Sequence, residues 1–241
     1  MAETDALAVR GLSAGYGETT VVRDVDLAVA PGETFVIVGP NGHGKTTLLR
    51  AISGLIRARG EVELDGRRID AERAEERSEG GLIHIPQGDH LFGELTVEEN
   101  LLMGAFPRGA WGGRREALDR VYEVFPTLRE RRTQRARTLS GGERRQVAVG
   151  RGLMREPRVL LIDEPSLGLA PVIVEVVYET IARIAAQDVS ILLVEENFTH
   201  VSEIADRVAV FEMGRIVRVG EPGEIAADET LAHSYLGVLE P

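Results

Sequence analysis

The chain has no cysteine, one tryptophan and a single lysine among its 241 residues. Without cysteine there are no disulfides and no thiolate metal sites, which suits a reducing compartment. The five histidines are scattered, so no zinc-binding spacing arises. No apolar run approaches the roughly 18 residues of a membrane span. The opening Met1-Ala2-Glu3-Thr4-Asp5 is acidic with no apolar stretch behind it, so the expected protein is neither secreted nor membrane-spanning. A positive balance is also missing: the formal charge of −11 argues against binding to nucleic-acid backbones. Arg129 to Arg137 therefore reads as a solvated helix face ahead of a partner-docking patch. What remains, 43% hydrophobic and 28% charged residues, is ordinary globular material with ample chain for a buried core.

The lone lysine marks the first motif. Lys45 sits in Gly39-Pro40-Asn41-Gly42-His43-Gly44-Lys45-Thr46, and every other basic position of the Lys and Arg total of 28 is arginine. A flexible stem ending in a compact ammonium is retained where G-x-x-x-x-G-K-[ST] sets a lysine over nucleotide phosphates. The glycines let successive N–H groups turn into one concavity, and the N-terminus of the following helix adds partial positive charge. Lys45 is expected to reach the β- and γ-phosphates and the Thr46 hydroxyl to ligate Mg²⁺. The flanks fit, because Thr34 to Val38 is a short apolar strand and Thr47 to Ile52 opens a helix. The chain is expected to bind a nucleoside triphosphate.

A second motif, Val159-Leu160-Leu161-Ile162-Asp163-Glu164-Pro165, is a buried strand with two acids where it leaves the sheet. Asp163 would hold Mg²⁺ and Glu164 would polarise the attacking water. Around these motifs, residues 7–38 alternate strands and turns. Glu61–Leu64 and Leu82–Ile85 read as a further strand pair, and helical periodicity runs from Thr96 to about Glu156. Strand and helix then alternate: Val159–Ile162, a helix at Val172–Ala186, Ser190–Val194, a helical stretch at Phe198–Ala205, and Val208–Phe211. The alternation predicts an α/β fold with a mostly parallel sheet and an inserted helical segment.

The third motif, Leu139-Ser140-Gly141-Gly142-Glu143-Arg144-Arg145-Gln146, precedes a helix with Ser140 as N-cap and bare N–H groups at its start, a second anion site. With these motifs in order, the chain resembles the nucleotide-binding subunit of an ATP-binding cassette (ABC) transporter over essentially its whole length. The resemblance implies a P-loop ABC-ATPase fold with an N-terminal antiparallel β subdomain and an inserted α-helical subdomain. It is read as one domain of residues 1–241, with a catalytic core at 1–87 and 157–241 and the helical signature part at 88–156. ATP and Mg²⁺ are the implied cofactors. Gly39 to Thr47 would hold the phosphates, and Ser140, Gly141 and Gly142 would close over the ATP of a second cassette. Glu143 replaces the commoner Gln of the signature.

By the same resemblance Tyr16 would stack on adenine, and Gln87 would touch Mg²⁺ and water and relay to the membrane partner. Ser166-Leu167-Gly168-Leu169 would be the crossing loop, and Glu196 takes the switch position where the family usually places a histidine. A carboxylate there would repel the γ-phosphate unless protonated, turned away, or bridged by metal or Arg; His200 is a further candidate for that role. Asp163 to Pro171, the switch, Leu95 to Leu101 and the ending His233 to Gly237 resemble the shorter ATPase subunit of branched-chain amino acid importers. That subunit pairs with a second ATPase, two integral membrane subunits and a solute-binding protein, and lies in the cytoplasm on the inner face of the membrane. A related urea or amide importer and a soluble ABC switch are the alternative readings.

Overall fold

The structure is a computed structural model that describes residues 4–106 and 111–228. Two sheets organise it. Strands β1 (Leu7–Tyr16), β2 (Thr19–Val29), β4 (Ala58–Leu64) and β5 (Arg67–Arg68) form an antiparallel sheet in the order β2-β1-β4-β5. The other sheet contains β3 (Thr34–Val38), β6 (Leu82–Ile85), β7 (Val159–Asp163), β8 (Ser190–Glu195), β9 (Arg207–Glu212) and β10 (Arg215–Gly220), in the order β10-β9-β3-β8-β7-β6. Its neighbours run parallel except at the antiparallel β10 edge.

The central strands β3, β7 and β8 are buried throughout, as apolar runs in a sheet covered on both faces must be. Strand alternation sends Phe35, Ile37, Leu161 and Leu192 towards the antiparallel sheet and helix α1 (Lys45–Ile52). Val36, Val38, Leu160 and Leu193 face the opposite core. Helices α2 (Ala74–Glu79), α3 (Val97–Gly104), α4 (Arg114–Val124), α5 (Pro126–Glu130) and α6 (Gly141–Leu153) precede β7, and α3 to α6 all lie between β6 and β7. Helix α7 (Pro171–Ala185) connects β7 to β8, and α8 (Pro222–Ala227) follows β10. The α/β fold with its antiparallel β sheet and inserted helices is thus the one the sequence implies.

Two expectations need correction. Glu61–Leu64 does not pair with Leu82–Ile85. Asp65 and Gly66, both at positive φ, turn the chain straight back so that Leu64 faces Arg67 and Glu63 faces Arg68. Leu82–Ile85 instead lies parallel to β7. Phe198–Ala205 is not a helix but a series of turns. The Asn197 side chain accepts from Thr199 N (2.9 Å) and Ser202 Oγ donates to the Thr199 carbonyl (3.1 Å), local bonds that compete with helical ones. Buried Phe198 and Val201 pin the segment to the core. The segment His233 to Gly237 lies outside the described residues.

Candidate nucleotide site

The phosphate loop leaves β3 where two glycines are required. At Gly39 a Cβ would collide with the Phe211 carbonyl oxygen, and Gly44 caps α1 at φ 106°, a left-handed value costly for other residues. Lys45 follows as the first residue of α1 and is 3% exposed. Its Nζ donates to the carbonyls of Gly39 (2.6 Å) and Pro40 (3.2 Å) and lies 3.5 Å from Asn41 Oδ1. The same ammonium pairs with Glu164 Oε1 at 3.2 Å. At the loop's flank, His43 Nδ1 accepts from Met213 N at 3.4 Å. Tyr16 is 46% exposed; its hydroxyl accepts from Arg50 Nη1 at 3.3 Å and lies within hydrogen-bonding reach of Thr47.

The two acids arrive from β7, separated from β3 only by β8. Asp163 is fully buried; its Oδ1 accepts from the Thr46 hydroxyl at 3.0 Å, while Oδ2 has no hydrogen-bond partner. Burial pushes this carboxyl above the usual carboxylate range, a shift the Thr46 hydroxyl opposes. Glu164 sits at φ 42°, a left-handed conformation rare for a side-chain-bearing residue, fixed by its N–H donating to the Val194 carbonyl (3.0 Å). Its Oε2 accepts from Gln87 Nε2 at 3.0 Å. Two bonded sets, Lys45–Glu164–Gln87 and Thr46–Asp163, therefore lie side by side, joined through the Lys45-Thr46 and Asp163-Glu164 peptide bonds. The unpartnered Asp163 oxygen, on the carboxylate that accepts from the Thr46 hydroxyl, is oxygen-donor chemistry that suits Mg²⁺.

Glu196 joins this group from the end of β8. Its carboxylate accepts from Asn41 Nδ2 at 2.7 Å, so this residue touches the phosphate loop itself. His200 instead stacks on Tyr178, with ring centroids 5.6 Å apart and an interplanar angle of 19°.

Ser140, Gly141 and Gly142 occupy the start of α6, where their bonding is local. The Ser140 hydroxyl accepts from Glu143 N (3.3 Å) and Glu143 Oε2 accepts from Ser140 N (2.8 Å), a capping box. The other Glu143 oxygen pairs with Arg131 Nε at 2.8 Å, which compensates the charge that a glutamate adds to the signature. Gly142 is buried, and a Cβ there would strike Ile173 at the start of α7.

Sequence reasoning missed three charged residues. Arg131 falls in the stretch Arg129 to Arg137, which reads as a solvated face first and a partner-docking patch second, and neither reading points to Glu143. Arg145, 3% exposed on α6, donates to the carbonyls of Gly88 (2.6 Å), Pro86 (3.3 Å) and Asp163 (3.1 Å). Glu195, 2% exposed, accepts from the N–H groups of Ser166 and Glu196, each at 3.1 Å. No spacing signal distinguishes these from ordinary helix and strand-end charges.

A phosphate loop between a parallel strand and a helix, an Asp-Glu pair at the end of the next strand but one and a capped glycine-rich helix start define a P-loop ATPase cassette. The chain belongs to the ABC transporter family, whose model matches residues 22–167. It is accordingly an ATP-binding, ATP-hydrolysing subunit of a transporter. It is 38% identical to the high-affinity branched-chain amino acid transport ATP-binding protein BraG of Pseudomonas aeruginosa, over 94% of this chain and 97% of the relative. It is 35% identical to the probable branched-chain amino acid transport ATP-binding protein LivF of Archaeoglobus fulgidus, covering 95% and 98%. The lipopolysaccharide export ATP-binding protein LptB of Haemophilus influenzae is also similar, at 32% identity over 96% and 97%. Among solved structures, a nucleotide-free ATP-binding cassette from an ABC transporter superposes with a TM-score of 0.85 at 25% identity, covering 97% and 99%.

Proposed function

We propose that this subunit powers import of branched-chain, hydrophobic amino acids, working in the cytoplasm on the inner face of the membrane. In this reading it pairs with a second, different ATPase subunit on two permease subunits served by a solute-binding protein. The full-length similarity to BraG and LivF supports the solute class more than the match to LptB supports export.

The observation that carries the mechanism is the Lys45–Glu164–Gln87 group. In the proposed cycle Lys45 exchanges its loop carbonyls for the β- and γ-phosphate oxygens of ATP, and the N–H groups of residues 42 to 47 cradle the same phosphates. Thr46, Asp163 and Gln87 would hold Mg²⁺, which when bound would supply charge neutralisation for phosphoryl transfer. Glu164, held in place by its strained backbone and by Gln87, accepts a hydrogen bond from the attacking water and aligns it with the γ-phosphorus. Tyr16 stacks on the adenine, and Ser140 to Gly142 close over the ATP of the second cassette. Near Gln87, a groove of about 530 Å³ lined by Ser53, Leu55, His84, Pro86 and Arg155 continues into one of about 400 Å³ bordered by Met103 and Phe106. Exposed Leu55, Met103 and Phe106 suit a cytoplasmic helix of a permease subunit there.

Affinity purification of the tagged chain from native membranes tests the assembly. Two membrane proteins and a second ATPase in equal copies, with ATP-dependent leucine uptake lost on deletion, is the expected result. Recovery of soluble partners only would favour the soluble-switch reading instead. Loss of urea or amide uptake with intact leucine uptake would move the solute class.

A further inference from the structure

One buried carboxylate outside the catalytic group ties together segments that serve different ends. Glu195 Oε1 accepts from Ser166 N and Oε2 from Glu196 N, each at 3.1 Å. Ser166 begins the crossing loop that follows the catalytic acids, and Glu196 is the switch residue that reaches Asn41 in the phosphate loop. The Glu195 backbone carbonyl accepts from Gly39 N at 3.3 Å. From α7, the Tyr178 hydroxyl lies within hydrogen-bonding reach of both Glu195 and Ser166. Arg145 of the signature helix, bound to carbonyls on either side of Gln87, contributes the facing positive charge.

We propose that Glu195 is a positioning residue that locks the crossing loop at Ser166 to the switch backbone at Glu196. ATP contacts at Asn41 and Glu196 are thereby transmitted to the surface that meets the second cassette. The physical case is one of acceptor number. A buried carboxylate accepts from two N–H groups on different loops at once, whereas a carboxamide in the same place can accept from one and turns its NH₂ on the other. Leaving one part-buried donor without its acceptor releases one loop from the other. This inference rests on the nucleotide reading of the phosphate loop.

The test is amide hydrogen exchange of the full-length chain, with and without Mg·ATP, for wild type, Glu195→Gln and Tyr178→Phe, alongside ATP affinity by titration. In wild type, ATP is expected to slow exchange in both the Ser166–Leu169 and Glu195–Asn197 segments. In Glu195→Gln, both segments should exchange about tenfold faster. ATP should still bind within about threefold of wild-type affinity, with ATP-induced protection of Ser166–Leu169 abolished. Tyr178→Phe keeps the buried ring and should reproduce the loss of protection at a smaller amplitude. Unchanged ATP-induced protection of the Ser166 segment in both variants would overturn the proposal. So would a fall in ATP affinity that parallels global unfolding of the Glu195→Gln chain while Tyr178→Phe behaves as wild type. Failure of the wild-type chain to bind ATP would instead sink the nucleotide reading, a distinct result.

Discussion

Glu196 and Asn41 are joined by a 2.7 Å hydrogen bond from the Asn41 amide to the Glu196 carboxylate, which places a negative charge on the rim of the phosphate loop. Glu196 is solvent-exposed, so water and salt weaken its repulsion of a phosphate without removing it. Glu196→Gln keeps an acceptor for Asn41 and deletes the charge. ATP affinity is expected to rise roughly two- to fivefold at low salt, with the gain shrinking as ionic strength increases. Glu196→His should raise turnover of the assembled complex; normal assembly with no gain would acquit Glu196 of slowing hydrolysis.

Lys45 is surrounded by carbonyl oxygens and by Glu164, an arrangement that satisfies a buried ammonium only while its stem stays long enough to reach them. Lys45→Ala removes the cation from the phosphates and leaves Glu164 buried without its ion-pair partner. A loss of ATP affinity of about 100-fold or more follows from two charge-assisted bonds. Isothermal titration with Mg·ATP checks it, and unchanged binding would refute the cradle.

Much of this site was legible because its chemistry is local in sequence. The phosphate loop, the Asp163-Glu164 pair and the Ser140 cap each carry their signal within eight residues, and the structure places Lys45 and Ser140 at the helix starts that such signals demand. Partners distant in sequence were not legible. Glu195 reads as one more acid after an apolar strand, and only the fold brings Ser166, 29 positions away, onto its carboxylate. Arg131 carries no mark that it would meet Glu143. Phe198 to Ala205 shows an apolar spacing compatible with a helix, yet Asn197 and Ser202 capture nearby backbone groups and leave turns instead.

Glu164→Gln preserves shape and an acceptor for Gln87 while removing the charge proposed to align water. Turnover at this chain's own site should fall by about 100-fold or more with ATP binding retained. In a complex whose two ATPase subunits differ, the mutation traps ATP only where this site turns over. Rapid-quench single-turnover measurements with the change in each subunit in turn separate the two sites. A silent change here beside a damaging one in the partner would make this site mainly structural.

Arg131 and Glu143 offer a test of charge compensation at the signature. Arg131→Ala frees a carboxylate one turn into α6, beside the residues expected to meet the γ-phosphate of the other cassette, and should raise the ATP concentration needed for half-maximal turnover several-fold. Glu143→Gln in the same chain should restore it, since the neutral side chain still bonds Ser140 N. A double variant no better than the single one would show that Arg131 acts through something other than this pair.

Burial and the field of Arg50 lower the pKa of His84 from its ordinary value near 6.5 to about 4, so the folded protein holds the ring neutral. Its Nδ1 lies 3.2 Å from Ser53 Oγ, and its Nε2 is buried without a partner. The unfolded chain takes up a proton near pH 6.5 that the folded chain refuses until about pH 4. The neutral ring therefore leaves stability intact above pH 6.5 and costs it progressively as pH falls towards 4, by up to roughly 3 kcal/mol. Urea unfolding at pH 7.5 and pH 5 should show this loss, and His84→Gln, which cannot titrate, should flatten the difference between the two. An equal loss in both proteins would assign the acid sensitivity to the carboxylates instead.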